Sequence, residues 1–218
     1  MSADSSPEDP TCFVRANTRL LSPPLVPEIT LHVATEVVPL WTQTEAVRQG
    51  TLPPPYWAFA WPGGQALARY VLDHPEETRG KRVLDFGAGS GLVGIAAALT
   101  GAFVTASDID PLSVASIALN AAANGVCLNI ISEDVIGTGI HWDTILVGDM
   151  CYERPLAERL LLWLRAACGH GTRVLLGDPG RTYFPDSGVE PLASYDVPTT
   201  RDLEDREMRR TSVYLLSA

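Results

Sequence analysis

The chain has 218 residues, 46% of them hydrophobic, and a formal net charge of −10, which fits one domain with a real core plus an N-terminal extension. The acidic balance excludes a general phosphate-binding surface, because nucleic-acid affinity comes mainly from Lys and Arg, and no apolar run approaches the ~20 residues that span a bilayer. Four scattered cysteines (Cys12, Cys127, Cys151, Cys168) and four scattered histidines give no metal-ligand spacing and suit reduced thiols in the cytoplasm.

In chain order, residues 1–19 read as a disordered acidic tail, too polar at Met1–Pro10 for a signal peptide and too acidic for a transit peptide. Residues 20–80 read as a helical and aromatic extension packing on the core. Within it, Glu28–Thr35 is expected as a helix, followed by apolar Val37, Val38, Leu40 and Trp41 and a break at Pro53-Pro54-Pro55. The aromatic run Tyr56, Trp57, Phe59 and Trp61 precedes Gly63-Gly64 and an apolar helix pattern over Gln65–Leu72. Those rings either pack in the core or fold over a ligand mouth.

Residues 81–218 alternate strand and helix, the signature of a parallel sheet covered on both faces. Strands are expected at Arg82–Phe86, Phe103–Ser107, Leu128–Ser132, Thr144–Gly148 and Thr172–Gly177, with helices at Leu92–Leu99, Leu112–Asn124 and Pro155–Cys168. Gly101, Gly125 and Gly169 stand where helices should stop. Asp178–Pro191 is too broken by Pro and Gly for a crossover helix. Two further strands, Ser194–Val197 and Thr211–Leu216, flank the charged stretch Arg201–Arg210.

The richest stretch is Val83-Leu84-Asp85-Phe86-Gly87-Ala88-Gly89-Ser90-Gly91, a strand running into three alternate glycines before a helix. Glycine permits the tight turn, and the helix start offers free N–H groups. An acid inside this turn would repel a pyrophosphate but suits a ligand carrying a cationic amine, which favours S-adenosylmethionine. Gly89-Ser90-Gly91-Leu92-Val93-Gly94 also matches the dinucleotide G-x-G-x-x-G formally. The strand, however, ends before Gly87 and not at the first glycine of that match, so the dinucleotide register is wrong.

Other candidates sit at strand ends, where open α/β sheets bind ligands. Asp108 closes the second strand and can accept the ribose hydroxyls, unless it merely caps the next helix, a role Asp110 fills more naturally. After the third strand, Asp134 in preference to Glu133 could accept an adenine amino group. Asp149 follows the fourth strand and could orient a nucleophilic nitrogen, with Tyr152 lining its channel; the alternative is a helix cap beside a packed ring. Asp178 follows the fifth strand, either facing the site or holding a turn. The segment after strand four is not the Asp/Asn-Pro-Pro-aromatic loop of enzymes that methylate base amino groups or glutamine amides.

Several pieces together resemble the class I, seven-strand methyltransferases, and within them the lysine methyltransferases of the electron transfer flavoprotein β-subunit. They are Pro27-Glu28-Ile29, Tyr56-Trp57-Ala58, Trp61-Pro62-Gly63-Gly64-Gln65-Ala66-Leu67, the Leu84–Gly91 loop, Asp108-Ile109-Asp110-Pro111, Gly148-Asp149-Met150 with Tyr152, and Gly177-Asp178-Pro179-Gly180-Arg181. The resemblance spans roughly residues 20–218. It implies a single Rossmann-like domain with strand order 3-2-1-4-5-7-6, the seventh strand antiparallel, and methyl transfer to lysine ε-amines. It places Trp61, Asp85, Gly87, Gly89, Gly91 and Asp108 around S-adenosylmethionine; with Ala88, Ile109 and Asp134 these make the expected cofactor site, and Asp149 and Tyr152 the expected catalytic pair. The expected partner is a protein, the flavoprotein β-subunit, with no nucleic acid or membrane; a ribosomal protein, a small molecule or cofactor binding without turnover remain as other readings.

Overall fold

The computed structural model describes residues 9–34, 54–199, 204 and 206–218. Among these, seven strands form one sheet: β3 (Arg82–Phe86), β4 (Phe103–Ser107), β5 (Asn129–Ile131), β6 (Thr144–Gly148), β7 (Arg173–Asp178), β8 (Val189–Pro198) and β9 (Met208–Leu216), in the order β5-β4-β3-β6-β7-β9-β8. Counted within the sheet this is 3-2-1-4-5-7-6. The pairs from β5 to β7 are parallel, and β9 runs antiparallel to both of its neighbours. Successive strands are added outward in one direction from β3 to β5 and in the other from β6 onward, and this switch in strand order opens a crevice over the carboxyl ends of β3, β4 and β6.

Strand alternation explains the layering. Val83, Leu146, Leu175 and Val213 pack on one face, with Leu67 and Ile95 of helices α2 (Pro62–Asp73) and α3 (Leu92–Leu99). Leu84, Ile145, Val174 and Leu176 point to the other face, against Leu160 and Trp163 of α5 (Arg154–Gly169). Both faces are apolar because helices cover both. Gly101 and Gly125 adopt the left-handed conformation after α3 and α4 (Pro111–Ala123), as expected, whereas α5 runs through Gly169 and turns at Gly171. Between β7 and β8 the described residues hold no helix. β8 begins at Val189, earlier than expected, and passes an irregularity between Pro191 and Ala193.

The N-terminal region departs most from expectation. Part of the supposed disordered tail is helix α1 (Pro10–Asn17): Asp9 caps it by accepting the Thr11 N–H at 3.1 Å. Its Phe13 and Val14 are buried with Trp57, Leu112 and Ala115, a gain that an acidic average composition conceals. The helix expected at Glu28–Thr35 is strand β2 (Leu31–Val33), antiparallel to β1 (Arg19–Leu21). Asn124, which caps the end of α4, and Asn120 within it accept the N–H groups of Thr30 at 2.9 Å and His32 at 2.7 Å, so a distant helix sets the local conformation. Residues 1–8, Thr35, Val37, Val38, Leu40, Trp41, Pro53 and most of the first half of the 201–210 stretch lie outside the described residues. No helix among the described residues is long and apolar enough to cross a membrane.

Candidate active site at the carboxyl edge of the sheet

A cavity of about 450 Å³ lies over the carboxyl ends of β3, β4 and β6, within the range of small-molecule sites. It gathers Trp61, Asp85, Gly87, Ala88, Gly89, Asp108, Ile109, Asp134, Asp149 and Tyr152 from five separate segments. Gly91 is the expected candidate that does not line it. That residue starts α3 with φ +78°, and a Cβ there would meet Ile117 at 3.3 Å, so its glycine serves helix packing.

The glycine loop is built around two acids. Gly87 (φ +61°) and Gly89 (φ +52°) are left-handed, and a Cβ on Gly87 would lie 2.5 Å from Met150 Sδ. Asp85, only 2% exposed, accepts the Gly94 N–H at 2.7 Å. A Cβ on Gly94 would stand 2.9 Å from that same carboxylate. The third glycine of the formal dinucleotide match is therefore there to admit Asp85. Burial, with a smaller push from Asp108, raises the Asp85 carboxyl to about 7. Asp108 accepts the Gly89 N–H at 2.9 Å through one oxygen and the Asp110 N–H at 2.9 Å through the other. Asp110 in turn caps α4 through the Leu112 N–H at 3.0 Å, which leaves Asp108 to the cleft. Burial also pushes Asp108 upward.

Beyond β5, Asp134 accepts the Ile136 N–H at 3.0 Å and forms an ion pair with Arg159 of α5. Glu133 also lines the cavity, while its carbonyl accepts the Ser107 hydroxyl at 3.1 Å.

Asp149 is held from two sides. It is the one non-glycine residue among those described with positive φ, +58°, and it is 8% exposed. Its Oδ2 accepts the Gly64 N–H at 2.9 Å at the start of α2, where free N–H groups and the helix dipole favour an anion. Its Oδ1 meets Arg181 Nη2 at 2.8 Å. Burial pushes the carboxyl up; Arg181 and the Gly64 N–H oppose that. The helix start comes this close because Gly63 and Gly177 touch backbone to backbone: a Cβ on Gly63 would lie 2.2 Å from the Gly177 carbonyl oxygen and 2.5 Å from Asp149 Oδ2. The Trp-Pro-Gly-Gly segment is thus a device for seating the strand-four acid.

An aromatic wall closes this end. Tyr152, 39% exposed, has its ring 5.2 Å from that of Tyr56, and Tyr56 lies 5.7 Å from Trp61. Trp61 donates its indole N–H to the Tyr56 carbonyl at 2.8 Å. Neighbouring Cys151 is buried, and its thiol is pushed up to about 12, so it stays protonated and inert. Asp178 resolves to its turn reading: its Oδ1 accepts the N–H groups of Gly180 at 2.7 Å and Arg181 at 2.6 Å, and it does not line the cavity. Arg181, to which no local pattern in the sequence gives a role, joins the cleft residues. It lines the cleft, stands 5.6 Å over the Trp61 ring and bridges Asp149 to Glu204.

The model of the ribosomal protein L11 methyltransferase (PrmA) family matches residues 65–147, from α2 to the end of β6. The electron transfer flavoprotein β-subunit lysine methyltransferase of Danio rerio is 39% identical over 98% of this chain and 86% of its own. The Xenopus laevis protein of the same name is 41% identical over 94% and 86%. The chain belongs to that lysine methyltransferase family. Magnesium protoporphyrin IX methyltransferase from Synechocystis PCC 6803, solved with bound S-adenosylmethionine, shares the fold at a TM-score of 0.51 and 20% identity, covering 71% of this methyltransferase and 79% of that chain. The L11 family match ends just before Asp149, so it covers the glycine-loop half of the cleft and stops short of the half built around Asp149.

Proposed function

We propose that this protein transfers methyl groups from S-adenosylmethionine to lysine ε-amines of a protein, the electron transfer flavoprotein β-subunit. One observation carries the reading: the carboxylate of Asp149 is pinned from two sides at the mouth of a cleft whose other end is a glycine loop flanked by Asp85 and Asp108. The cavity fits the cofactor. Left-handed glycines bring the backbone close, Asp85 suits the amino group of the methionine part, Asp108 the ribose hydroxyls, exposed Ile109 one face of the adenine and Asp134 its amino group. Trp61 shapes the wall near the methyl group.

When bound, S-adenosylmethionine supplies an electrophilic methyl: the amine lone pair forms the N–C bond while the C–S electron pair returns to sulfur as a thioether. The protein contributes position, which alone lowers such a barrier substantially. Asp149 accepts a hydrogen bond from the lysine nitrogen and directs its lone pair; Tyr152 and Tyr56 confine the aliphatic stem. The amine attacks only when neutral, so an ammonium with pKa near ~10.4 must first lose a proton. An acidic chain attracts a basic acceptor surface and makes the rate salt-dependent. Scattered free thiols support the cytoplasm as its place of action.

The test is mass spectrometry of recombinant flavoprotein after incubation with the protein and S-adenosylmethionine. Lysine peptides gaining multiples of one methyl mass support the reading. No gain there, with labelling of another protein or a small molecule, removes the assigned substrate.

A further inference from the structure

Arg181 is too well fixed to be an incidental surface cation. Its side chain is 18% exposed, between carboxylates of Asp149 and Glu204 that are 9% and 4% exposed. One nitrogen, Nη2, reaches both: 2.8 Å to Asp149 Oδ1 and 2.5 Å to Glu204 Oε1. The Arg181 N–H is tied to Asp178, left-handed Gly180 precedes it, and the guanidinium lies over Trp61. Behind Glu204 stands Arg209, with Nε 3.8 Å from Oε2.

This geometry has a chemical consequence that rests on the amine seat proposed above. A bare buried carboxylate would hold an arriving lysine as ammonium, since an opposite charge within a few ångströms favours the charged form. Ammonium has no lone pair and cannot attack. A guanidinium against the same carboxylate offsets that pull, and it cannot take up the lysine proton because it never deprotonates at accessible pH. We infer that Arg181 is a positioning residue that compensates the charge of Asp149, so that the seat orients a neutral amine instead of trapping an ammonium. Glu204 sets how much of that positive charge reaches Asp149.

Among the described residues, the charged and titratable groups at this seat are Arg181, Glu204, Asp178 and Cys151 around Asp149, Arg209 behind Glu204, Glu153 beside Tyr56 and Tyr152, and, across the cleft, Asp85, Asp108, Asp110, Glu133, Asp134 and Arg159. None of those carboxylates is changed in the variants below except Glu204, so a shift between variants reports the altered charge.

The experiment is the pH dependence of kcat on the flavoprotein β-subunit, at saturating S-adenosylmethionine, for the full-length wild type, Arg181→Met, Arg181→Lys and Glu204→Gln. The rate of the wild type rises with pH as the lysine deprotonates. In Arg181→Met that limb moves about one pH unit or more to the alkaline side, with kcat recovering at high pH and KM not rising. Arg181→Lys keeps the charge and stays near the wild-type limb. Glu204→Gln leaves Arg181 to Asp149 alone and moves the limb the opposite way. A loss by one factor at every pH in Arg181→Met, or an unmoved or alkaline limb in Glu204→Gln, overturns the inference. Should Arg181→Met fail to fold, as its melting curve would tell, Glu204→Gln decides. No wild-type turnover, or normal turnover in Asp149→Asn, removes the amine seat and this inference with it; turnover with an unshifted limb removes this inference alone.

Discussion

On the β3–β4 side of the cleft, Asp85 and Asp108 are held by the backbone N–H groups of Gly94, Gly89 and Asp110. On the β6–β7 side, Asp149 accepts one backbone N–H, that of Gly64, through one oxygen and a guanidinium from 32 residues away through the other. The first arrangement is local: a strand, a glycine turn and the next strand end make it, and any ligand seated there meets preset dipoles. The second is assembled from α2, β6, the β7 turn and the β8–β9 connection. It brings a carboxylate paired with a guanidinium to the edge proposed for the acceptor.

The hardest blow to the second arrangement is Asp149→Asn. An amide offers one acceptor where two partners need one each, so either Gly64 or Arg181 is left unserved. Turnover is expected to fall by ~10²-fold or more, the scale of losing one positioned polar group, while cofactor affinity by calorimetric titration stays near wild type. A parallel collapse of cofactor affinity would erase the division between the two halves. Because removing one partner of a buried ion pair also destabilises, thermal melts with cofactor present accompany the assay.

Next comes Gly63→Ala. A Cβ 2.2 Å from a carbonyl oxygen cannot be accommodated by a side-chain rotation, because the obstacle is backbone. The helix start must retreat from Gly177, which takes the Gly64 N–H away from Asp149. A loss of about 3 kcal/mol or more is expected, read as a lowered melting temperature. Turnover should fall further than cofactor affinity; equal losses would mean that α2 serves both halves alike.

The same division governs what the sequence disclosed. β3, β4 and β6 lie at the residues expected, and the glycine loop, Asp108 and the Asp110 cap are where pattern reasoning puts them, because each depends on neighbours within a few residues. Arg181 sits in a recognisable motif, but nothing local says that its partners are Asp149 and Glu204. Asp178 illustrates the converse: a carboxylate at a strand end satisfied by its own turn. β2 was mistaken for a helix because the N–H groups of Thr30 and His32 are claimed by asparagines at the end of α4 and within it. Phe13 of α1 gave too weak a signal in an acidic stretch, and its burial depends on Trp57.

On the cofactor side, Asp108→Ala leaves the Gly89 and Asp110 N–H groups without their acceptor and removes the partner assigned to ribose. Hydrogen bonds to charged groups are worth ~1.5–3 kcal/mol, so the cofactor Kd should rise about ten- to hundredfold, with kcat at saturation much less affected. Unchanged affinity would sink the ribose assignment.

Asp85 offers a pH-dependent test of the same half. Its folded-state pKa of about 7 lies above the ~3.9 of an unfolded Asp. Between those values the native state holds a proton that the unfolded chain has lost. This contribution to stability is complete below pH ~4 and disappears as pH rises through 7. Asparagine mimics the protonated form and accepts the Gly94 N–H as before. The melting temperature of Asp85→Asn relative to wild type, without cofactor, should therefore climb from pH 5 to pH 8 by at least ~2–4 °C, the shift that ~1 kcal/mol produces in a chain of this size. Asp178, raised to about 6, drifts in the same direction in both proteins and cancels. A flat difference would mean that Asp85 ionises freely, and that the glycine-loop side carries no burial penalty for a cationic ligand to relieve.

The smallest effect is expected at Arg159, and it probes the division from its weak point. Arg159 is a cation in the cofactor half, paired with Asp134, so it could make that half resemble the other. The pair differs from Arg181–Asp149 in its exposure: its side chains are 57% and 45% exposed, against 18% and 9%. In water-screened surroundings such a pair contributes only ~0.2–1 kcal/mol, and salt weakens it further. Asp134 also keeps its bond to the Ile136 N–H without Arg159, so its carboxylate retains an anchor at the end of the cavity proposed for adenine. Arg159→Ala should then change the cofactor Kd by less than about fivefold, a change that 0.5 M salt reduces, and should leave kcat alone. Asp134→Ala should weaken the cofactor more than Arg159→Ala does, because it removes the acceptor itself. If Arg159→Ala instead costs as much affinity as Asp108→Ala, the cofactor half leans on a side-chain cation as heavily as the acceptor half does, and the contrast between local and assembled charge fails.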